Sequence, residues 1–451
     1  MAEATMYFPP DFLWGTATSS HQVEGNNEHN DWWQFEGQEG NTLDGSRSAL
    51  ACDWWENAEA DFDRAQEMGT NALRMSLEWS RIEPEPGSFS QEAIGRYREM
   101  LQGLRDRGIE PMVTLHHFSN PLWLVEKGDF STELVVDYFQ RYTAKVVAEL
   151  GDIVPKWVTI NEPMLYILMR YIQSAFPPPK ERGWFEGFRA IRYLLQCHAA
   201  AYHTIKESCP EALVGVAKHF RPIKPRLNGN RLDAWWARRI SRFFNDSWME
   251  SMVTGRLRWP IGRGVISGLA GAIDFVGINY YSRAHVRFPP RPNRLYEEQG
   301  PEGQVMAGDS LFGHYPGDLF DIMKESLKYK KPIYITESGL PDAADEQRPT
   351  YIMTHLRELW RAVSFNYPVM GYYHWSLIDN YEWERGWTQR FGLIELDPES
   401  QERKWRPSGR LYSEICHSNS ISSDMARRYA PELLETMFPG QSPQETGDHS
   451  Q

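Results

Sequence analysis

The chain has 451 residues, 41% hydrophobic and 24% charged, and its 48 Lys and Arg against 61 Asp and Glu leave a formal net charge of −13. That balance argues against nucleic acid or an anionic membrane surface as partner, and no apolar stretch approaches a membrane span. The length allows two or three average domains or one decorated α/β barrel, and 18 Trp, 21 Tyr and 21 Phe provide more aromatic surface than a core needs, as a sugar-binding cleft would.

Taken in chain order, eight apolar, β-branched or aromatic runs recur with helical patterns between them. The first two are Phe12–Ser20 and Ala72–Trp79. Gly103–Gly108, with Arg105 and Arg107, closes a helix just before the third run, Glu110–His117. Tyr138, Tyr142, Val146 and Leu150 form an i, i+4 stripe that predicts a helix over Tyr138–Leu150, stopped by Gly151. The fourth run, Lys156–Pro163, leads into a Pro- and Gly-rich stretch at Phe176–Gly183. The fifth is Leu213–Phe220; the basic segments near it, Lys218–Arg231 and Arg238-Arg239, are short and read as a solvated helix face. The sixth, Ala272–Tyr281, precedes the long stretch Phe288–Pro316. Lys331–Ser338 and Val369–Leu377 complete the eight, and Gly440–Gln451 is a polar tail expected to be disordered.

Near-continuous apolar strands alternating with amphipathic helices imply a parallel sheet covered by helices. Eight of them, without a Gly-rich phosphate turn, point to a (β/α)8 barrel over residues 1–439 rather than an open doubly wound sheet. The opening Met-Ala-Glu-Ala-Thr has neither a basic n-region nor an apolar h-region, so a cytoplasmic location is expected. Cys52, Cys197, Cys209 and Cys416 show no CxxC or Cys/His zinc spacing, which favours reduced thiols and no metal.

Two segments carry the chemistry. Thr159-Ile160-Asn161-Glu162-Pro163 and Ile335-Thr336-Glu337-Ser338-Gly339 each end an apolar run in a Glu followed closely by Pro or Gly. Carboxylates at the C-terminal tips of barrel strands stand where barrels keep catalytic groups, and two of them make the acid/base and nucleophile pair of a retaining glycosidase, about 5–5.5 Å apart.

With these motifs in place, the chain resembles glycoside hydrolase family 1. The stretch from Phe12 to Gly25, Phe-Leu-Trp-Gly-Thr-Ala-Thr-Ser-Ser-His-Gln-Val-Glu-Gly, is similar to its opening signature, and Gly371–Asp397 is similar to its last strand and loop. The match runs from about residue 8 to 417 with the motifs in order. The resemblance implies a single (β/α)8 domain, no cofactor, and retaining hydrolysis of β-linked sugars. It makes Glu337 the nucleophile, with Arg74, Asn279 and Tyr281 supporting it, and Glu162 the acid/base. The negative charge of Glu337 is expected to raise the Glu162 pKa toward roughly 6–7. It further implies that Asn161 bonds the sugar 2-OH, His117 the 3-OH, Gln22 and Glu382 peripheral hydroxyls, that Trp375 forms a stacking floor, and that Trp383 offers an indole N–H. An acidic Glu382 argues against 6-phosphoglycosides. Phe118, Ser119 and Ser338 depart from the commonest pattern, as does Phe312 on the aglycone side, which hints at a leaving group other than cellobiose.

The expected activity is an exo-β-glycosidase: a β-glucosidase overlapping β-galactosidase and β-fucosidase, because inverting one hydroxyl changes one or two contacts of about 1 kcal/mol. Transglycosylation would use the same intermediate. A non-catalytic sugar-binding barrel is the reading from another class, and the presence of both Glu162 and Glu337 disfavours it. The partners expected are small β-glycosides or oligosaccharides, with a homo-oligomer left open.

Overall fold

The computed structural model describes residues 3–178, 183–259, 261–290, 296 and 313–441. Eight strands supply the frame: β1 (Leu13–Ala17), β2 (Ala72–Ser76), β3 (Glu110–His116), β4 (Lys156–Asn161), β5 (Leu213–His219), β6 (Phe275–Asn279), β7 (Ile333–Ser338) and β8 (Val369–Trp375). Each pairs in parallel with its chain neighbour, and β8 pairs with β1 from Gly371↔Leu13 to Trp375↔Ala17, which closes the barrel. The eight runs seen in the sequence are these strands.

Both faces of every strand are covered, which is why the runs are apolar throughout. Inward-pointing Ala17, Ala72, Met112, Val158, Ala217, Phe275, Tyr334 and Tyr373 fill the barrel interior. Small residues on some strands make room for the rings on others. The larger core lies between strands and helices. The main covering helices are α1 (Trp54–Glu67), α2 (Gln91–Asp106), α3 (Leu134–Leu150), α4 (Gly183–Ser208), α5 (Arg231–Ser241), α6 (Pro316–Ser326), α7 (Arg348–Ser364) and α8 (Pro407–Ser418). Thr5–Tyr7 pairs antiparallel with Ser420–Ser422 and ties the two ends of the chain together.

The helix expected over Tyr138–Leu150 is α3, one turn longer at its start. Tyr142, Val146 and Leu150 are fully buried as the stripe required, and the half-buried Tyr138 meets the edge of Trp123 at 5.4 Å. Gly151 does end this helix, but not by a left-handed turn, since its φ is −65°. A Cβ there would lie 2.5 Å from Cys209 Sγ and from the Val147 carbonyl oxygen, so the glycine serves the close approach of the segment after α4.

The strands stop earlier than the apolar runs. β1 ends at Ala17 and Ser20–Val23 forms a helical turn; β4 ends at Asn161, and β8 at Trp375. The residues beyond these ends leave the ladder and line the C-terminal mouth. Of the long connections, 179–182, 291–295 and 297–312, and with them Phe312, lie outside the described residues, as do residues 442–451 of the tail. No helix among the described residues is long and apolar enough to cross a membrane. All four cysteines are unpaired, and Cys52, Cys197 and Cys416 are buried.

At the mouth, β7 and β8 approach so closely at Gly339 that an added Cβ would sit 1.9 Å from the Trp375 carbonyl oxygen. Gly339→Ala is expected to force the two strand ends apart. It should destabilise the protein by about 1–3 kcal/mol in urea denaturation and reduce activity in the fraction that remains folded, because Glu337 and Trp375 stand on those ends.

Candidate active site

The mouth is organised around a cation. Arg74, the third residue of β2, is fully buried inside the barrel. Its Nη1 donates to Glu337 Oε1 and, at 3.3 Å, to the Thr336 carbonyl oxygen; Nη2 donates to Asn161 Oδ1 at 2.7 Å, and Nε to Thr114 Oγ1 at 3.0 Å. Tyr281, two residues past β6, donates its hydroxyl to Glu337 Oε2 at 2.6 Å. Glu337 thus has one donor on each oxygen.

A guanidinium can only donate, and that fixes the amides around it. Because Asn161 Oδ1 accepts from Arg74, its Nδ2 faces outward and donates to His117 Nε2 at 3.0 Å. Burial, with Arg74 and His116 nearby, holds His117 well below its ordinary pKa, so its ring is neutral with the hydrogen on Nδ1. That Nδ1 is buried and has no partner among the described residues. Asn279, the last residue of β6, accepts from Thr336 Oγ1 at 2.6 Å and donates from Nδ2 to Glu162 Oε1 at 2.8 Å and Asn161 Oδ1 at 3.2 Å. Arg74, Asn161 and Asn279 therefore connect the two carboxylates.

Glu162 leaves the end of β4 in a left-handed conformation, φ 43°, ψ 53°, with Pro163 opening the next helical turn. For a residue with a Cβ this costs of order 1–2 kcal/mol, and it turns the carboxyl across the mouth instead of along the strand. Oε1 lies 3.1 Å from His219 Nδ1, at the end of β5.

The protons distribute accordingly. Burial pushes Glu337 up to about 7 against the pull of Arg74, and the facing charge of Glu162 adds to the rise. Glu162 is penalised by burial too, yet His219, Asn279 and Lys218 together hold it below its ordinary value. The rise of Glu162 toward roughly 6–7 expected from the charge of Glu337 is thus not found: the pull of its neighbours outweighs it. The pull on Glu162 is greatest when its basic neighbours are charged. Burial, however, lowers His219 and brings Lys218 down to about 7. Once both are neutral, the cation touching the pair is Arg74, on the Glu337 side.

The opposite wall is polar and aromatic. Gln22 donates from Nε2 to Glu382 Oε2 at 3.1 Å, Asn380 Oδ1 at 3.0 Å and the Tyr381 carbonyl at 2.8 Å, while Ser19 Oγ donates to its Oε1 at 2.7 Å. Burial, then Glu384 and Glu337, push Glu382 up to about 8, so it holds a proton at neutral pH. The field that keeps it protonated would also repel a phosphate dianion. Asp379, gripped through both oxygens by Arg406 at 2.8 Å each, anchors the loop that carries this wall. Trp383, also left-handed at φ 51°, packs on Trp32 at 4.7 Å, His21 at 5.8 Å and His117 at 6.0 Å. Trp375 lies 6.0 Å from His117.

The departures from the commonest pattern fall mostly behind this surface. Phe118 packs at 5.3 Å against Trp383, supporting it from behind. Ser119 donates to Glu78 at 2.9 Å, and Ser338 shares a hydrogen bond with Tyr351 of α7 at 2.9 Å. Every predicted site residue among the described residues is brought to the mouth or its immediate support. Sequence reasoning missed His219, Lys218 and Asn380; the first two were visible only as part of a basic segment, and nothing local marked them. No cluster of three His, Cys, Asp or Glu side chains able to hold a metal occurs among the described residues.

Comparison with known proteins gives the family of the chain. A profile of the family described as "Glycosyl hydrolase family 1" matches residues 4–421. The solved structure of a β-glycosidase from Pyrococcus horikoshii superimposes with a TM-score of 0.88 at 36% identity, over 96% of this chain and 100% of that one. β-Glucosidase A of Thermotoga maritima is 29% identical over 449 residues, 92% of this chain and 98% of that protein. A β-galactosidase of Saccharolobus solfataricus is 30% identical over 494 residues, 93% and 96% respectively.

The raised pKa of Glu382 has a consequence for stability. A carboxyl whose folded pKa lies above its unfolded value favours folding least when ionised, so its cost is absent below about 4.5 and grows as pH rises to about 8. Glu382→Gln should therefore melt on the order of 5 °C higher than wild type at pH 8, with the gap closing toward pH 4.5. Calorimetric scans across that range test it; a gap independent of pH would refute the assignment.

Proposed function

The chain belongs to glycosyl hydrolase family 1 and is an O-glycosyl hydrolase, and on that premise we propose that it acts as a retaining exo-β-glycosidase with Glu337 as nucleophile and Glu162 as acid/base. The observation that carries this is the asymmetry of the pair: Glu337 has the permanent cation Arg74 on one oxygen and the Tyr281 hydroxyl on the other, while Glu162 has only the Asn279 amide and the titratable His219. The first carboxyl is built to be ionised and the second to exchange a proton.

In the first half-reaction a Glu337 oxygen attacks the anomeric carbon. The electron pair of the breaking C–O bond leaves with the glycosidic oxygen, which takes the proton of Glu162. The glycosyl ester removes the charge of Glu337. Glu162, now a carboxylate, takes a proton from water as that water attacks the same carbon and frees Glu337. Arg74 and Tyr281 stabilise the departing carboxylate in this step.

Asn161 and His117 stand beside Glu337 with fixed polarity and fit the 2-OH and 3-OH of the bound sugar. Gln22 and a protonated Glu382 supply both donors and acceptors for peripheral hydroxyls, Trp375 a floor and Trp383 an indole N–H. Such a site reads a neutral sugar hydroxyl by hydroxyl. The activities named for the relatives, β-glucosidase and β-galactosidase, support terminal β-D-glucosyl as the first choice, with galactosyl and fucosyl tolerated. Four unpaired cysteines favour a reducing, cytoplasmic setting.

The experiment is a panel of nitrophenyl β-D-glucoside, galactoside, fucoside, mannoside and 6-phosphoglucoside with wild type, Glu337→Gln and Glu162→Ala. The neutral glucoside should turn over fastest and the phosphorylated one not at all. Glu337→Gln should fall to background while melting as a folded protein. Glu162→Ala should lose roughly 10²–10⁴-fold on alkyl glycosides and far less on activated aryl ones, which leave without protonation. Near-wild-type turnover by Glu337→Gln would sink the nucleophile assignment.

A further inference from the structure

A buried histidine that the reaction as written does not use stands against the acid/base. His219 ends β5 with its ring parallel to Tyr281, at 6.0 Å and 23°, and with Phe244 edge-on at 5.9 Å. Behind it, the buried Lys218 donates to the His219 carbonyl oxygen and lies over the Phe244 ring, 4.5 Å from its centroid. The ring is thus packed between Tyr281 and Phe244. Nδ1 faces Glu162 Oε1 at 3.1 Å, and Nε2 is buried with no partner among the described residues.

We propose that His219 is a positioning residue for Glu162: its Nδ1–H and the Asn279 amide together occupy Oε1, so that the transferable proton is confined to Oε2. This rests on the acid/base role of Glu162. The Asn279 amide is an obligate donor here, because its own oxygen accepts from Thr336 Oγ1. Nε2 has nowhere to donate, and a buried hydrogen without an acceptor costs desolvation free energy, which favours the tautomer with the hydrogen on Nδ1. In the other tautomer Nδ1 would be an acceptor and would draw the Glu162 proton onto Oε1, inside the protein and useless to a leaving group. With both lone pairs of Oε1 engaged, the carboxyl carries its hydrogen on Oε2. After that proton passes to the glycosidic oxygen, the same two donors hold the carboxylate in place for the second half-reaction. The charged and titratable groups around His219 act in one network: Glu162 from β4, Lys218 and Arg221 beside it in the chain, Tyr281 after β6, Glu337 beyond Tyr281, and Asp246 facing Lys218.

His219→Phe keeps the ring and removes the donor; His219→Asn places an amide nitrogen near the position of Nδ1 without a group that titrates. Losing a donor that favours ionised Glu162 should move the basic limb of the kcat/KM profile upward by about one pH unit. His219→Phe should also lose about tenfold more kcat/KM on alkyl than on dinitrophenyl glycosides, and His219→Asn should recover most of both effects. An unmoved basic limb with equal losses on the two substrates would mean a purely structural histidine and would overturn the proposal, as would a His219→Asn no better than His219→Phe. If Glu162→Ala itself shows no dependence on the leaving group, the acid role fails first, and this proposal with it.

Discussion

A single guanidinium sealed inside the barrel sets the polarity of everything at its mouth. Arg74 is fully buried, so its hydrogens are met by protein acceptors, four of which surround it. Those acceptors are Glu337, Asn161, Thr114 and the Thr336 carbonyl. A buried charge of this kind is tolerated only when paired, and the pairing is with Glu337, the proposed nucleophile. The cation thus holds Glu337 in place and supports its ionised form. It also dictates, by elimination, which way the Asn161 amide points and which nitrogen of His117 carries a hydrogen. Those orientations pass outward to the surface a sugar would meet.

The second carboxyl is built on the opposite logic. Its neighbours are titratable instead of permanent, and burial brings their basicity down toward neutrality. In the acid/base role proposed for Glu162, a carboxyl that holds a proton in one half-reaction and surrenders it in the next gains from partners whose charge is not fixed. The strained backbone at Glu162 belongs to the same arrangement: a left-handed residue at the end of a strand re-aims the side chain, and the neighbouring strand ends, through Asn279 and His219, receive it.

The far wall shows how a neutral sugar can be read without a free charge. Glu382 sits in a field, set up by burial and three other carboxylates, that keeps it protonated, and the Gln22 amide engages it. Aromatic rings close the wall, with Trp383 wedged between His21, Trp32 and His117 and backed by Phe118. Replacing the ring behind the wall changes support more than recognition. Ser119 and Ser338 are engaged with Glu78 and Tyr351.

The sequence by itself determined the barrel and its two carboxylates, because both are written locally. A strand covered on both faces must be apolar along its length, and a Glu at the end of such a run followed by Pro or Gly marks the mouth. The strand limits were legible only to within a few residues: Glu162 and Tyr281 lie just past strand ends, where composition does not distinguish the last ladder residue from the first that turns away. Only the tertiary structure decided what each side chain faces. Lys218 and His219 look in the chain like the start of a basic surface segment, yet both are buried, His219 against Glu162 and Lys218 behind it over the Phe244 ring. The reason is geometric: adjacent parallel strands carry residues dozens of positions apart into hydrogen-bonding distance, and a proton's place among buried groups depends on those distances and on the water excluded around them.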